Sequence, residues 1–294
     1  MFTHEKKINK LFLNWLYLNL VLVFFIIIIG GLTRLTGSGL SITEWELIKG
    51  ILPPLNNESW KEYFDMYKKI PQYKLLNYNM NLNEFKIIFL WEYFHRILGR
   101  LIGIFFLLPL LYFYFSKKIK KFYLKTCYLI FSLIILQGLV GWLMVKSGLV
   151  HDVTVSHYRL SLHLIIAFTI ISIIFWLIIN IQKNTFKSFF NLSFKNSPYL
   201  ILIGVIFLQI ILGALVSGLD AGKIYQTWPL MNYSYFPSDV TINRVESLFD
   251  FNNHSLVQFY HRNLAYFIMI YILMFSFYVY KKKIVRLYIP IKLV

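Results

Sequence analysis

Two short stretches place ionisable side chains inside otherwise apolar sequence. Residues 92 to 100 read EYFHRILGR within the run FKIIFLWEYFHRILGRLIGIFFLLPLLYFYF, and a second copy begins at Gln258 as QFYHR. Glu92, His95 and Arg96 fall at i, i+3 and i+4, so a helix puts all three on one face, and Gly99 and Gly103 extend that stripe. Gln258, His261 and Arg262 repeat the spacing, with Gln258 as the near-isosteric counterpart of Glu92. A third imidazole, His163, lies in VSHYRLSLHL. A charged group near a bilayer centre costs roughly 3 kcal/mol or more, so such groups face a bundle interior and mark function. For an imidazole the choices are a hydrogen bond to a neighbouring helix or ligation of a metal. Cys127 is the only cysteine, so no internal disulfide and no CxxC redox or zinc site exists, which leaves His, Glu or a bound cofactor to do chemistry.

The elements that must position these groups are apolar runs. Of 294 residues 58% are apolar and only 15% charged, and the apolar residues come in blocks at 11–31, 85–115, 123–145, 158–182, 199–218 and 255–280. A bilayer core needs about 20 apolar residues per helix. The fold expected is therefore an all-α polytopic membrane protein with six transmembrane helices. The N-terminal run is too long for a signal peptide, no small-residue cleavage site follows it, and it reads as a retained span.

The net charge of +17 is organised by these spans. Lys6, Lys7 and Lys10 precede the first; Lys117, Lys118, Lys120, Lys121 and Lys125 follow the second; Lys183, Lys187 and Lys195 follow the fourth; Lys281, Lys282, Lys283, Arg286 and Lys292 follow the sixth. The positive-inside rule then puts both termini on the cytoplasmic side, or the matrix side in a mitochondrion. The partner implied is anionic membrane lipid, and nucleic acid is not expected.

Small residues close the first and fifth spans (Gly30 and Gly31; Gly213, Ala214 and Gly218), and each is followed by a long Trp- and Pro-containing connection that returns to a helix bearing His-Arg. Gln137-x-x-x-Gly141 and Gln209-x-x-x-Gly213 also match. These features read as an internal duplication: a four-helix unit over 1–182, then a second, incomplete unit over 183–294. His95 lies roughly 15 Å from the outer end of its span, His163 about 8 Å and His261 about 9 Å. Imidazoles at such depth on two helices of a four-helix unit suit a haem held by two axial ligands. Arg100 and Arg159 are either snorkelling arginines or, on inward faces with Arg96, partners for haem propionates. His151, His157 and His254 read as loop or interfacial imidazoles.

At this point three functions are open: a haem-modifying enzyme, a b-type haem carrier or electron conduit that needs the histidines but not Glu92, and a secondary transporter that needs no haem. The chain resembles the haem A synthase family, in the alphaproteobacterial and mitochondrial type that lacks the outer-loop cysteine pair. The matching stretches are GGLTRLTGSGLSITEW with ILPP, EFKIIFLWEYFHRILGR, QGLVGWLMVKSGL, VSHYRLSLHL, QIILGALVSGLDAG with WPLM, and QFYHR, in family order from Gly30 to Arg262.

The resemblance implies an oxidoreductase acting on a CH group: it oxidises the C8 methyl of haem O to a formyl, giving haem A for cytochrome oxidase. It further implies that His95 and His163 flank the haem O substrate, with Glu92 as the catalytic carboxylate, and that His261 is an axial ligand of a haem b cofactor. Haem O synthase and cytochrome oxidase assembly factors are the implied partners. The family pattern has eight spans, so the last two are expected to be missing here and His261 to lack its second histidine, unless a homo-oligomer supplies one across its interface.

Overall fold

The computed structural model describes residues 2–44, 49–150, 153–187, 189, 196–242 and 244–288. His151, Lys195 and Lys292 lie outside them. Six long helices carry the apolar runs: α1 (Phe2–Leu35), α4 (Leu82–Ser116), α5 (Lys121–Gly148), α6 (His157–Gln182), α7 (Ser197–Gly218) and α8 (His254–Lys281). All six are long and apolar enough to cross a membrane. Two short helices, α2 (Asn57–Tyr67) and α3 (Pro71–Leu75), sit in the first long connection. The described residues contain no strand, only an isolated bridge between Met231 and Ser234.

Contacts divide the chain into two units, Met1–Phe189 and Phe190–Val294. In the first, α1 packs on α4 and α6, and α5 packs on α4 and α6. That neighbour list closes a four-helix ring in which α4 and α6 stand on one diagonal and α1 and α5 on the other. The half of the bundle away from the long connection is close-packed and apolar. Phe12, Leu16, Phe106, Ile130, Ile173, Ile174 and Leu177 are buried there, and Trp15 donates its indole N–H to the Phe105 carbonyl at 2.8 Å.

The other half is shaped by how the chain leaves α1. Gly37 adopts a left-handed φ of +64°, and the Ser38 N–H reaches back to the Thr33 carbonyl at 2.9 Å while the Gly37 N–H bonds Arg34 at 3.2 Å, a Schellman-type ending that a side chain at 37 would strain. The chain then turns inward, and Leu40 is buried against Gly148 at the end of α5. The connection builds its own small core from Phe64, Tyr67, Ile70, Phe85 and Phe89. Because the first turns of α4 belong to that core, this helix starts at Leu82, beyond the apolar run that began at 85. Its start is fixed by a capping box: Asn81 Oδ1 accepts from the Glu84 N–H at 3.1 Å, and Glu84 accepts from the Asn81 N–H at 2.9 Å.

In the second unit α7 packs on α8, with Leu212, Leu215 and Val257 buried between them. The Asn253 side chain caps α8 by accepting from the Leu256 N–H at 3.0 Å.

Candidate haem site

Each of the three intramembrane histidines lies against a glycine of the helix that precedes it. His95 on α4 faces Gly30 on α1, His163 on α6 faces Gly141 on α5, and His261 on α8 faces Gly213 on α7. The glycines lie five, seven and five residues before their helices end at Leu35, Gly148 and Gly218. At 1.5 Å per residue that is a depth of roughly 8–11 Å in every case. On their own helices the three histidines are not level: His95 lies 13 residues from the start of α4 at Leu82, against six for His163 from His157 and seven for His261 from His254.

His95 and His163 stand on the diagonal pair α4 and α6 of one ring. In all three histidines Nδ1 is buried and has no hydrogen-bond partner. Leaving a buried polar atom unmatched costs about 1–3 kcal/mol. Two such atoms within one ring, on His95 and His163, are what a site leaves when its ligand would complete the imidazoles. The residues fit a haem on this ground: neutral nitrogens inside an apolar bundle, supplied from opposite helices of a closed ring.

Glu92, one turn before His95, is buried and fully engaged. Its Oε1 accepts from Arg96 Nη2 at 2.5 Å and Arg96 Nε at 3.1 Å, and its Oε2 accepts from Ser41 Oγ at 2.7 Å and the Ile42 N–H at 2.8 Å. Arg96 Nη2 also donates to the Ile42 carbonyl at 2.9 Å. The i, i+4 pair thus ties the segment after Gly37 to α4 beside His95. Arg96 is a partner of Glu92 and the main chain here. Arg100 donates to the Gly50 carbonyl at 3.3 Å, and with Ile42, Phe89, Tyr93 and Arg96 it lines a pocket under the connection. Arg159 is exposed in the first turn of α6, and the structure does not bring it to the other two arginines of that pocket.

The second unit repeats the device with different chemistry. Gln258 Nε2 donates to the Tyr225 carbonyl at 2.9 Å, and Arg262 donates to the Tyr225 and Thr227 carbonyls at 2.5 and 2.8 Å. Here the connection offers carbonyls to an amide; in the first unit it offers an N–H and a hydroxyl to a carboxylate. Gln258 and Glu92 are therefore not interchangeable, although their sizes match. Gln209, one turn before Gly213, donates to the His261 carbonyl at 3.1 Å and its amide nitrogen lies 3.5 Å from His261 Nε2. Beyond it, Asp239 joins Tyr225 and Ser255: Tyr225 OH donates to Oδ1, and Ser255 Oγ donates to Oδ2 at 2.7 Å. Burial raises the Asp239 carboxyl, but the bonds from Tyr225 and Ser255 outweigh it and hold the group below the usual carboxylate range. Burial, then the adjacent Asp239, pushes the Tyr225 phenol up.

Sequence reasoning did not single out Ser41, Ile42, Tyr225 or Asp239, since they act through the folded connections. His254 is exposed at the start of α8, and His157 is half-buried with its ring 4.2 Å from that of Tyr158. Neither is brought to the glycine-backed histidines.

The sequence matches the COX15-CtaA family model, described as cytochrome oxidase assembly protein, over residues 13–290. Among curated relatives, heme A synthase of Pelagibacter ubique (strain HTCC1062) is 48% identical over 285 residues, covering 96% of this chain and 83% of the relative. Heme A synthase of Bartonella quintana (strain Toulouse) is 43% identical, with 94% and 77% covered, and that of Rickettsia africae (strain ESF-5) 42% identical, with 88% and 77% covered. No solved structure gives a significant match. With the matched stretch running through all six apolar helices, this multi-pass membrane protein belongs to the haem A synthase family of cytochrome oxidase assembly proteins.

Proposed function

We propose that this chain oxidises the C8 methyl group of haem O to a formyl group, producing haem A. The observation that carries the reading is the pair His95 and His163, on diagonal helices of one ring, each with a buried Nδ1 that lacks a partner. These two would hold the haem O substrate, and His261 would hold a haem b, which when bound supplies a one-electron route away from the oxidised group.

The chain's own residues bind, orient and exclude water. The apolar core that includes Phe106 and Ile173, and the segment from Gly37 to Ile42 that Glu92 ties to α4, would keep water from the site. Glu92 stands one turn from His95 as a carboxylate whose four donors fix its position. In that setting its contribution would be a carboxylate of fixed position, its charge offset by Arg96, one turn from the histidine that would hold the substrate. Arg96, paired with Glu92, and Arg100 line the pocket beneath the connection together with Glu44, and their guanidinium groups would suit carboxylates such as haem propionates. Both termini lie on the cytoplasmic side, haem O synthase supplies the substrate, and assembly factors of cytochrome oxidase receive the product.

A second reading, a b-type haem carrier, is favoured by one observation: both Glu92 oxygens are already engaged in holding the connection. Production of the chain with a haem O source, followed by pigment extraction, separates the two. Haem A in the extract supports the enzyme, and bound haem with no haem A supports the carrier. Haem stoichiometry for His163→Ala and His261→Ala then tests the sites. Should His163→Ala remove no low-spin haem, the pairing with His95 is wrong.

A further inference from the structure

We propose that Gly30, Gly141 and Gly213 are positioning residues, each a seat that fixes the plane of one imidazole, and that the repeating module is a helix pair used three times: α1 with α4, α5 with α6, and α7 with α8. The inference rests on the haem reading for its purpose, but its geometry stands independently. A Cβ built on Gly30 would lie 3.0 Å from His95 Cε1, 3.5 Å from Nδ1 and 3.9 Å from Nε2. On Gly141 the distances to His163 are 3.0, 3.6 and 3.9 Å, and on Gly213 those to His261 are 3.1, 3.8 and 3.9 Å. The same ring edge meets the same backbone in the same order each time.

Other helical glycines lack this relation. Gly31, Gly103, Gly138 and Gly204 have nothing within 4 Å of the position a Cβ would take. The seats are thus a property of three chosen positions, one per pair. They also subdivide the four-helix ring: its two diagonals are a glycine pair, α1 and α5, and a histidine pair, α4 and α6.

The physical consequence follows from packing. Carbon atoms at ease sit about 3.5–4.0 Å apart. A methyl group at 3.0 Å must push the ring away by a few tenths of an ångström, and the productive placement of a ligand tolerates about 0.5 Å. With Nδ1 unpartnered, no hydrogen bond at that edge of the ring holds its orientation, so the wall behind Cε1 does that task. The sign of the expected effect separates this role from a backbone one. Gly→Ala inside a helix ordinarily stabilises by about 0.5–1 kcal/mol, so a seat variant should keep its helices while its haem loosens.

The experiment uses the full chain produced in a haem-making host. Gly30→Ala, Gly141→Ala and Gly213→Ala are compared with Gly31→Ala and Gly138→Ala, which lie on two of the same helices. Each is purified and read by haem retention against apomyoglobin, by ferric low-spin resonance, which reports ring planes, and by midpoint potential. Seat variants are expected to retain haem roughly tenfold less well or worse, the range lost when groups that orient metal ligands are removed, with shifted resonance, while both controls match the parent. Seat variants whose retention and resonance equal the controls overturn the proposal. Histidine modification by diethyl pyrocarbonate in haem-free protein is the second readout: changed rates in seat variants alone support it, and rates equal to the controls overturn it. A parent chain without low-spin haem overturns the haem reading alone, and the modification rates then decide the seats.

Discussion

Replacing Glu92 by glutamine tests whether this carboxylate is a latch. All four of its partners are donors: Arg96 Nη2 and Nε on one oxygen, Ser41 Oγ and the Ile42 N–H on the other. A glutamine offers one acceptor oxygen and one NH2. With the oxygen kept toward Arg96, the NH2 faces the Ile42 N–H, donor against donor; flipped, it faces the guanidinium. Ser41 can rotate its hydroxyl to accept, but the amide of Ile42 cannot. One stranded buried donor costs about 1–3 kcal/mol, and loss of the charge opposite Arg96, whose side chain is only 11% exposed, falls in the range of about 3–5 kcal/mol for a broken buried pair. The two overlap, so about 3 kcal/mol is the working figure, equivalent to a roughly hundredfold rise in the population with the connection detached. Trypsin reads that population at Lys61 and Lys69, both exposed. In detergent, Glu92→Gln should be cleaved there many times faster than the parent, and Ser41→Ala, which leaves Ile42 bonded, by a smaller factor. Equal cleavage of Glu92→Gln and parent would refute the latch, and loss of haem A with unchanged cleavage would return Glu92 to a purely catalytic role.

The reciprocal change, Gln258→Glu, should loosen the second connection, because a carboxylate would face the Tyr225 and Gly222 carbonyls; faster proteolysis between 219 and 253 checks it. Asp239 has a folded-state pKa below its unfolded value, so its stabilisation is complete above about pH 4 and disappears as pH falls through the lower folded value. Acid unfolding of the second connection, followed by proteolysis or tyrosine fluorescence, should therefore lose its steepest part in Asp239→Asn. Asn81→Ala removes the capping box of α4 and should cost about 1 kcal/mol, seen as a lower thermal midpoint in detergent with no change in haem spectrum. A cysteine at Glu58, with Cys127 replaced, should react with an impermeant maleimide in intact cells; reaction only after permeabilisation would reverse the proposed sidedness.

The sequence made the helices legible because a bilayer imposes one requirement, about 20 apolar residues in a row, and the runs at 158–182 and 255–280 became α6 and α8 with almost the same ends. Helix faces were legible too, since i, i+3 and i+4 spacing alone joins Glu92, His95 and Arg96. What spacing could not express was the partner across a helix pair. Gly30 precedes His95 by most of a long connection, and nothing local in IIIIGG says which glycine will meet the ring: Gly30 does, while Gly31 meets open space. The same limit hid the difference between Glu92 and Gln258. As residues they look like a near-neutral exchange, yet one faces an N–H and a hydroxyl and the other faces carbonyls. Each connection has been turned to suit its own side chain, so the specificity of the repeat lies in backbone polarity. The consequence is that exchanging the two side chains alone, with the main chain of each connection left as it is, should damage both.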